Sequence, residues 1–248
     1  MNSKLQIEHI VDKLDKCNKL CIMTGAGVSA ESGISTFRDP DGFWAKYNPQ
    51  ELASIDGFIS NPELVWSWYQ FRVGQINISN PNQGHLSLAE LELLFDDFTI
   101  ITQNVDGLHQ KAGSKNVVEL HGSIVRNKCL DCNKVYVKLI SNKKTPPNCS
   151  HCNGLIRPDV VWFGEMLATK KLQFAKEKSM NCEIFISIGT SAEVFPAASL
   201  PLIAKDNGAY LIEINPNDTP ITPYSDIKLA YSSGKVLPLI VEKYKHRV

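Results

Sequence analysis

Apolar residues along the chain alternate between helical spacings and short continuous runs. From Ile7 to Cys17 they recur every three or four positions, which predicts an amphipathic helix over residues 3–18. The continuous run at residues 20–24 is typical of a strand buried on both faces of a parallel sheet. The same pattern predicts further strands at 98–102, 117–120, 184–189, 210–215 and 227–231. It also predicts helices at 82–95 and 196–208, and two helices that start at Pro62 and Val236.

Strands that alternate with helices indicate an α/β fold, here a Rossmann-like parallel sheet with helices on both faces. Two segments depart from this rhythm. Residues 40–62 are rich in Pro, Asp, Asn and Gly, and we predict that they are irregular or mobile. Residues 127–154 hold paired cysteines and have no long apolar period. Because the α/β pattern resumes after Leu155, we interpret the cysteine segment as an insertion into one domain.

Composition and charge exclude several classes of protein. Lys plus Arg and Asp plus Glu both number 26, so the formal net charge is zero, and we expect no general nucleic-acid or anionic-membrane surface. No apolar run approaches the roughly 18 residues that span a bilayer. The charged N-terminal segment also lacks the apolar core of a signal peptide. We therefore expect a cytoplasmic protein.

Four of the seven cysteines form two C-x-x-C pairs, Cys129 with Cys132 and Cys149 with Cys152. A two-residue gap lets both sulfurs of a pair face one point, and two such pairs complete a tetrahedral thiolate shell for Zn²⁺. Four cysteine ligands leave no position for a water nucleophile, so a structural zinc is predicted. The alternative is four unligated thiols in a loop. The other three cysteines are interpreted as small buried side chains: Cys17, Cys21 and Cys182.

The loop after the first strand has the composition of a phosphate-binding turn. The segment Gly25-Ala26-Gly27 lets the backbone turn tightly and approach a pyrophosphate. A dehydrogenase would carry an acidic residue about 20 positions farther on, at the end of a second strand. Here Phe37 and Arg38 lead instead into the segment predicted to be irregular. We therefore predict that a dinucleotide is bound for chemistry other than hydride transfer, under a loop that closes to exclude water.

Polar residues follow the next two predicted strands. Gln103, Asn104 and Asp106 follow one strand end, and His121 follows the next. Ligands of open α/β sheets bind beyond the carboxyl ends of the strands, so we expect these side chains to converge on the glycine loop. The amides and the carboxylate are suited to hold ribose and carboxamide groups, and the histidine to accept a proton. The remaining histidines are interpreted as structural or solvated: His9, His85, His109, His151 and His246.

Several motifs in this order closely resemble the sirtuins, a family of NAD-dependent protein lysine deacylases. They are GAGVSAESGISTFRD, TQNVDGLH, VVELHG, the paired C-x-x-C knuckles, VVWFGE, GTS at 189–191 and EIN at 213–215. The resemblance spans roughly residues 17–240. It implies a single catalytic domain of 1–248, with a large lobe of 1–40, 96–126 and 155–248, a helical insertion of about 41–95 and a zinc module of about 127–154.

The resemblance also implies a set of NAD-binding residues. The first loop would contact the phosphates, with Phe37 and Arg38 in the closing loop, and the residues at 103–106 would position nicotinamide and its ribose. The implied cofactor residues are Gly25, Ala26, Gly27, Ser29, Glu31, Phe37, Arg38, Gln103, Asn104, Asp106, Gly189, Thr190, Ser191, Asn215 and Ser233.

The chemistry implied by the resemblance consumes NAD. The acyl oxygen of a modified lysine displaces nicotinamide from the ribose, and His121 then activates a ribose hydroxyl as general base. The implied products are free lysine, nicotinamide and O-acyl-ADP-ribose, and zinc takes no chemical part. The substrate backbone would pair as an added strand with the segment that contains Val161, Phe163 and Gly164.

Tyr69 and Arg72 bear on the acyl group that is removed. They are three residues apart on a predicted helix and so lie on one face, where a phenol and a guanidinium are suited to clamp a carboxylate. Sirtuins of the desuccinylase and demalonylase type resemble the chain here and at Ala53, a small residue in the acyl channel. The alternative is that Tyr69 packs in the core while Arg72 is solvated.

Three functions therefore follow from the resemblance as alternatives. The first is removal of succinyl and malonyl groups, with acetyl groups also accepted, and the second is plain deacetylation. The third is mono-ADP-ribosyl transfer, in which a protein side chain captures the ribose. A non-enzymatic NAD-binding module is disfavoured by the intact polar residues.

Overall fold

The structure of the chain, a computed structural model, describes residues 3–34, 49–137 and 145–247. The helices are α1 (Ser3–Leu14), α2 (Ala26–Ala30), α3 (Pro49–Leu52), α4 (Ile55–Ser60), α5 (Pro62–Ile78), α6 (Gln83–Glu92), α7 (Leu108–Ala112), α8 (Thr169–Asn181), α9 (Leu200–Asp206) and α10 (Ser233–Lys245). The strands are β1 (Lys19–Thr24), β2 (Asp97–Thr102), β3 (Val117–Glu119), β4 (Gly122–Cys129), β5 (Val135–Tyr136), β6 (Ile156–Val160), β7 (Ile184–Ile188), β8 (Tyr210–Ile214) and β9 (Ile227–Leu229).

Six strands of the described chain form one parallel sheet in the order β3-β2-β1-β7-β8-β9. Two apolar clusters cover it: one joins the sheet to α1, α6 and α10, and the other joins it to α8 and α9. The predicted parallel sheet with helices on both faces is confirmed. Strand order reverses between β1 and β7, and ligands of such sheets bind in the crevice at this reversal.

A second sheet, of three antiparallel strands, has the order β5-β4-β6. Its strands surround the two cysteine pairs, because Cys129 ends β4 and Cys149 precedes β6. The sequence pattern did not predict β4 or β6 as an antiparallel pair. The small sheet runs from Gly122 to Val160 and therefore extends beyond the proposed zinc module of 127–154 at both ends. The division of the chain into lobes stays a prediction.

The predicted irregular segment 40–62 is partly helical, and the prediction was wrong for its described end. Residues 49–52 form α3 and 55–60 form α4. The Ser54 side chain accepts a hydrogen bond from Gly57 N at 3.0 Å, and Asn61 accepts from Leu64 N at 3.1 Å. These polar residues, whose composition suggested a loop, are the N-caps of two consecutive helices, α4 and α5.

Other boundaries also differ from the predictions. The first helix ends at Leu14, before the predicted residue 18. The last helix starts at Ser233, three residues before the predicted Val236. Helix α8 was not predicted, because its sequence is mostly polar and it buries only Ala175 and Ser179. In the described residues, no helix has both the length and the apolar composition to cross a membrane.

Candidate active site

The polar residues predicted to converge lie at the carboxyl edge of the parallel sheet, in the loops that follow β1, β2, β3, β7 and β8. This placement follows from the parallel topology, since all six strands end at the same edge. Ala26 starts α2, and Ser191 lies two residues after Gly189 beyond β7, so both are at this edge. Phe37 and Arg38 lie outside the described residues.

The glycines of the first loop allow close contact between two backbone turns. Gly27 N donates to Gly189 O at 2.8 Å, and a Cβ on Gly27 would lie 2.8 Å from the Gly189 Cα. A Cβ on Gly25 would lie 2.7 Å from the Thr190 Cα. Gly189 itself has a φ of +58°, and a Cβ there would lie 2.6 Å from Val28 N. The glycines therefore bring the loop after β1 against the loop after β7 at the switch point of the sheet.

The Ser29 hydroxyl links two other predicted cofactor residues, Asn104 and Asp106. It donates to Asp106 Oδ2 at 2.7 Å and accepts from Asn104 Nδ2 at 3.1 Å. The Asn104 amide also donates to Gly25 O at 3.0 Å, and Leu108 N donates to Asp106 Oδ1 at 2.9 Å. The loops after β1 and β2 are thus tied together, and the Asp106 carboxylate is held in one orientation.

His85 contacts the same hydroxyl, although the sequence pattern suggested only a structural role. Its Nε2 lies 3.4 Å from Ser29 Oγ, and its Nδ1 accepts from Asn82 N at 3.4 Å. Because Nδ1 is an acceptor, Nε2 carries the proton and donates to Ser29, which in turn donates to Asp106. Burial lowers the pKa of His85 to about 4, so the ring stays neutral. The Asn82-x-x-His85 capping box at the start of α6 was the available signal.

Residues from three strand ends meet at Thr190. Gln103 Nε2 donates to the Thr190 hydroxyl at 2.8 Å, and Asn215 Nδ2 donates to the Thr190 carbonyl at 2.8 Å. The Asn215 Oδ1 accepts from Asn217 N at 3.1 Å. Three predicted cofactor residues that are distant in sequence therefore form one polar surface along the edge of the sheet.

The Glu31 carboxylate accepts hydrogen bonds from the start of the last helix, α10. It accepts from Gly234 N at 2.8 Å, from the Ser232 hydroxyl at 2.9 Å and from the Ser233 hydroxyl at 3.4 Å. An acidic side chain at a helix N-terminus compensates the unpaired N–H groups there. Glu31 therefore fixes α10 and Ser233 against the first loop, and direct contact of Glu31 with a cofactor stays a prediction.

His121 follows β3 and is half-buried in the same edge. Its Nδ1 lies 3.0 Å from Gln103 O. A carbonyl only accepts, so Nδ1 carries the proton and Nε2 is the basic nitrogen. Burial lowers the pKa of His121 below its ordinary value, although the bond to Gln103 acts in the opposite direction. The imidazole is therefore neutral near pH 7 and able to accept a proton.

Ala53 and Tyr69 belong to an apolar cluster beside the small sheet, formed by α3–α5, β4 and β6, and Arg72 is buried on the same helix as Tyr69. The relative exposure of Arg72 is 8%, so the alternative of a solvated guanidinium is excluded. Burial raises the pKa of the Tyr69 phenol well above its usual value. Burial also lowers the Arg72 pKa, while Tyr69 and Asp106 act to raise it, which places Arg72 near both groups.

The predicted peptide-pairing segment is held by the chain itself. Val161 N donates to His121 O at 2.8 Å, and Phe163 N donates to Ala53 O at 2.8 Å. Gly164 has a φ of +85°, and Glu165 Oε2 accepts from Trp162 N at 2.8 Å. The segment therefore connects the loop of His121 with the helical segment. The N–H groups of Val161 and Phe163 are already used in these hydrogen bonds, so a peptide strand added here would have to pair with other backbone groups of the segment.

The four cysteines of the two knuckles form one cluster, in which all sulfurs lie within 4.8 Å of one another. Cys129 Sγ and Cys152 Sγ are 3.4 Å apart, and Cys132 Sγ and Cys149 Sγ are 3.7 Å apart. A disulfide requires about 2.05 Å. Tetrahedral Zn²⁺ with bonds of about 2.3 Å separates its sulfurs by about 3.8 Å. The donor set fits a structural zinc.

We expect Cys149→Ser to lose zinc, because one thiolate ligand is removed from a closed tetrahedral set. Bound zinc per chain should fall well below one, and the midpoint of thermal unfolding should fall by roughly 10 °C, as a loss of a few kcal/mol implies at this size. The measurements are elemental analysis after dialysis and a thermal melt. Cys182→Ser is the matched control, since this buried thiol lies outside the cluster. Full zinc content in Cys149→Ser would contradict the assignment.

Comparison with known families and proteins gives one family. A model described as the Sir2 family matches residues 25–196 of the chain. An NAD-dependent protein deacylase of Aquifex aeolicus (strain VF5) is 50% identical over 227 residues, which cover 90% of this chain and 95% of the relative.

Solved structures agree with this match. A Sir2 homologue in complex with NAD superposes with a TM-score of 0.92 at 44% identity, covering 97% of this chain and 94% of the other. A second Sir2 structure contains a deacetylated peptide and 3′-O-acetyl-ADP-ribose. It has a TM-score of 0.84 at 35% identity and covers 96% of this chain and 98% of the other.

Proposed function

This chain belongs to the Sir2 family and is an NAD-dependent protein deacylase, and we propose that it prefers lysine side chains that carry succinyl or malonyl groups. The observation that carries this proposal is the burial of Arg72 beside Tyr69 on one face of α5. The guanidinium lies over the Trp68 ring, with its central carbon 5.6 Å from the ring centroid. Its planar fork of N–H donors matches a carboxylate through two parallel hydrogen bonds, so a carboxylate at the end of a short acyl chain suits this position.

NAD supplies the ribose that takes over the acyl group, with nicotinamide as the leaving group. The polar surface at the carboxyl edge of the sheet fits this co-substrate: it offers amides, hydroxyls and one carboxylate around the two glycine turns. We assign the phosphates to the turns at Gly25–Gly27 and Gly189, and nicotinamide and its ribose to the side chains of Gln103, Asn104 and Asp106. Ser29 and His85 hold the Asp106 carboxylate for this task.

His121 is assigned as the general base. Its Nδ1 proton is held by Gln103 O, so Nε2 is free to take a proton from a ribose hydroxyl. The lowered pKa keeps this nitrogen unprotonated near neutral pH. The main chain of His121 accepts from Val161 N, which ties the base to the segment proposed to bind the peptide.

The acyl group is proposed to enter between α5 and the segment 161–165. Ala53 leaves room there because its side chain is small, and Phe163 N donates to its carbonyl. At the far end of the channel, Arg72 offers paired donors and Tyr69 a hydroxyl to the acyl carboxylate. Acetyl groups, which lack a carboxylate, are proposed as poorer substrates. Their acceptance is supported by the structural relative with a deacetylated peptide and an acetylated ADP-ribose.

Arg72→Met tests the proposal. Methionine keeps much of the length of the side chain but removes the charge, so we expect kcat/KM for a succinyl-lysine peptide to fall about 10- to 100-fold, the scale of charged hydrogen bonds. The value for an acetyl-lysine peptide of the same sequence should change less than about threefold. The measurement is nicotinamide release with the two peptides at fixed NAD.

Arg126→Met is the control, because it removes a guanidinium that is paired with Glu119 and Asp159 and lies on β4, outside the helical segment. It should leave the ratio of the two activities unchanged. Equal loss of both activities in Arg72→Met would contradict the acidic-acyl proposal and favour plain deacetylation. The composition further leads us to propose a cytoplasmic location and no nucleic-acid partner.

A further inference from the structure

Trp162 lies in the segment proposed to bind the peptide, and its side chain packs against Tyr69, a residue of the proposed acyl pocket. Its relative exposure is 2%, and its indole Nε1 donates to the Tyr69 hydroxyl at 2.8 Å. The two rings are tilted by 42° with centroids 6.2 Å apart. One residue therefore belongs to the peptide-binding segment through its backbone and to the acyl pocket through its side chain.

The indole is held in place by an ion pair between the buried Arg157 and the half-buried Glu165. Arg157, with a relative exposure of 1%, lies over the Trp162 ring with its guanidinium carbon 3.4 Å from the ring centroid. Arg157 also makes two hydrogen bonds to Glu165, at 2.7 and 2.8 Å, and Glu165 accepts from Trp162 N. Both the backbone and the ring of Trp162 are thus fixed by charged groups.

The direction of the Trp162–Tyr69 hydrogen bond decides what Tyr69 can do. An indole N–H only donates, so the Tyr69 oxygen is the acceptor in this bond. Arg72 also only donates, so it cannot accept the Tyr69 proton. Among the described residues, none accepts a hydrogen bond from the Tyr69 hydroxyl. The proton is therefore left for a further acceptor, and burial keeps it on the phenol.

We propose that Trp162 is a positioning residue for acyl selectivity, which directs the Tyr69 hydroxyl proton toward the carboxylate of an acidic acyl group. This inference rests on the proposed preference for succinyl and malonyl groups. Donation to the Tyr69 oxygen fixes the hydroxyl and strengthens its own donation, since hydrogen bonds in a chain polarise one another. An acetyl group offers no carboxylate and gains nothing from this arrangement.

The test compares succinyl- and acetyl-lysine peptides of one sequence with the full chain. Trp162→Phe keeps an aromatic ring but removes the N–H. We expect the ratio of the kcat/KM values, succinyl over acetyl, to fall about three- to tenfold, the scale of one neutral hydrogen bond, mostly through KM for the succinyl peptide. Tyr69→Phe should lower the ratio at least as much. The double variant Trp162→Phe/Tyr69→Phe should match Tyr69→Phe alone.

Trp66→Phe is the matched control. Trp66 is also fully buried on α5, but in the described residues its indole N–H has no acceptor, so its replacement should leave the ratio unchanged. An unchanged ratio in Trp162→Phe, or an equal loss with both peptides, would overturn the inference while leaving the acidic-acyl proposal in place. The inference would also be overturned if Trp162→Phe lowered the succinyl-to-acetyl ratio as much in the Tyr69→Phe variant as it does in the wild-type chain. A wild-type chain without preference for the succinyl peptide would overturn both.

Discussion

His121→Tyr is expected to abolish deacylation of succinyl-, malonyl- and acetyl-lysine peptides. A phenol cannot accept a proton near neutral pH, and general-base catalysis contributes about 100- to 10,000-fold to rate. The neutral imidazole, whose Nδ1 carries the proton and whose Nε2 is basic, is the group proposed for this step. The measurement is formation of O-acyl-ADP-ribose with each peptide at saturating NAD.

His121→Asn distinguishes the loss of the general base from a structural effect of the bulky tyrosine. The shorter amide keeps a donor that can reach toward Gln103 O, but it cannot take up a proton. We expect a loss of the same order, with the midpoint of thermal unfolding little changed. Because the base is proposed to act after nicotinamide has left, nicotinamide exchange should be reduced less than product formation. Substantial product formation in both variants would refute the assignment of His121.

Gly122→Ala is expected to remove activity by moving His121. Gly122 has a φ of +82°, and a Cβ at this position would lie 2.1 Å from Asp159 O. The left-handed conformation and the overlap together should lower the free energy of unfolding by roughly 3 kcal/mol. The backbone must shift to relieve the overlap. A displacement near 1 Å of the neighbouring base should cost about 100-fold in kcat, since reacting groups tolerate little misplacement.

Gly113→Ala is the control for backbone strain without overlap. Gly113 has a φ of +108°, and a Cβ there would have no atom within 4 Å. We expect about 1–2 kcal/mol of destabilisation and nearly unchanged kcat. The two variants are compared by urea unfolding and by turnover below the unfolding transition. If Gly122→Ala kept the turnover of Gly113→Ala, the contact with Asp159 would not position His121.

Much of the large sheet could be predicted because its signal is local. The run at 20–24 and the runs before Gln103 and after Cys182 are buried strands, as their continuous apolar composition predicts. The small antiparallel sheet could not be predicted from continuous apolar runs. Its strand β6 contains Arg157 and Pro158, which lower the apolar signal, and β4 contains a register shift between Ser123 and Asn127.

The candidate site was predictable in part for the same reason. Motif spacing placed Gln103, Asn104 and Asp106 after one strand and His121 after another, and the parallel sheet brings them to one edge. Spacing did not reveal that His85 contacts Ser29, because a histidine at the start of a helix is usually structural. That role emerges only when α6 packs beside the first loop.

The sequence alone determined the α/β class, the four cysteines proposed as zinc ligands and the resemblance to a family that consumes NAD, because these depend on periodicity and on spacings of a few residues. Only the tertiary structure decided which polar groups donate and which accept. Ser29 and Asp106 are 77 residues apart in the chain, and Tyr69 and Trp162 are 93 apart. The direction of a hydrogen bond depends on which partners packing brings within about 3 Å. No local pattern encodes such partners, and the acyl selectivity proposed for this deacylase depends on one of them.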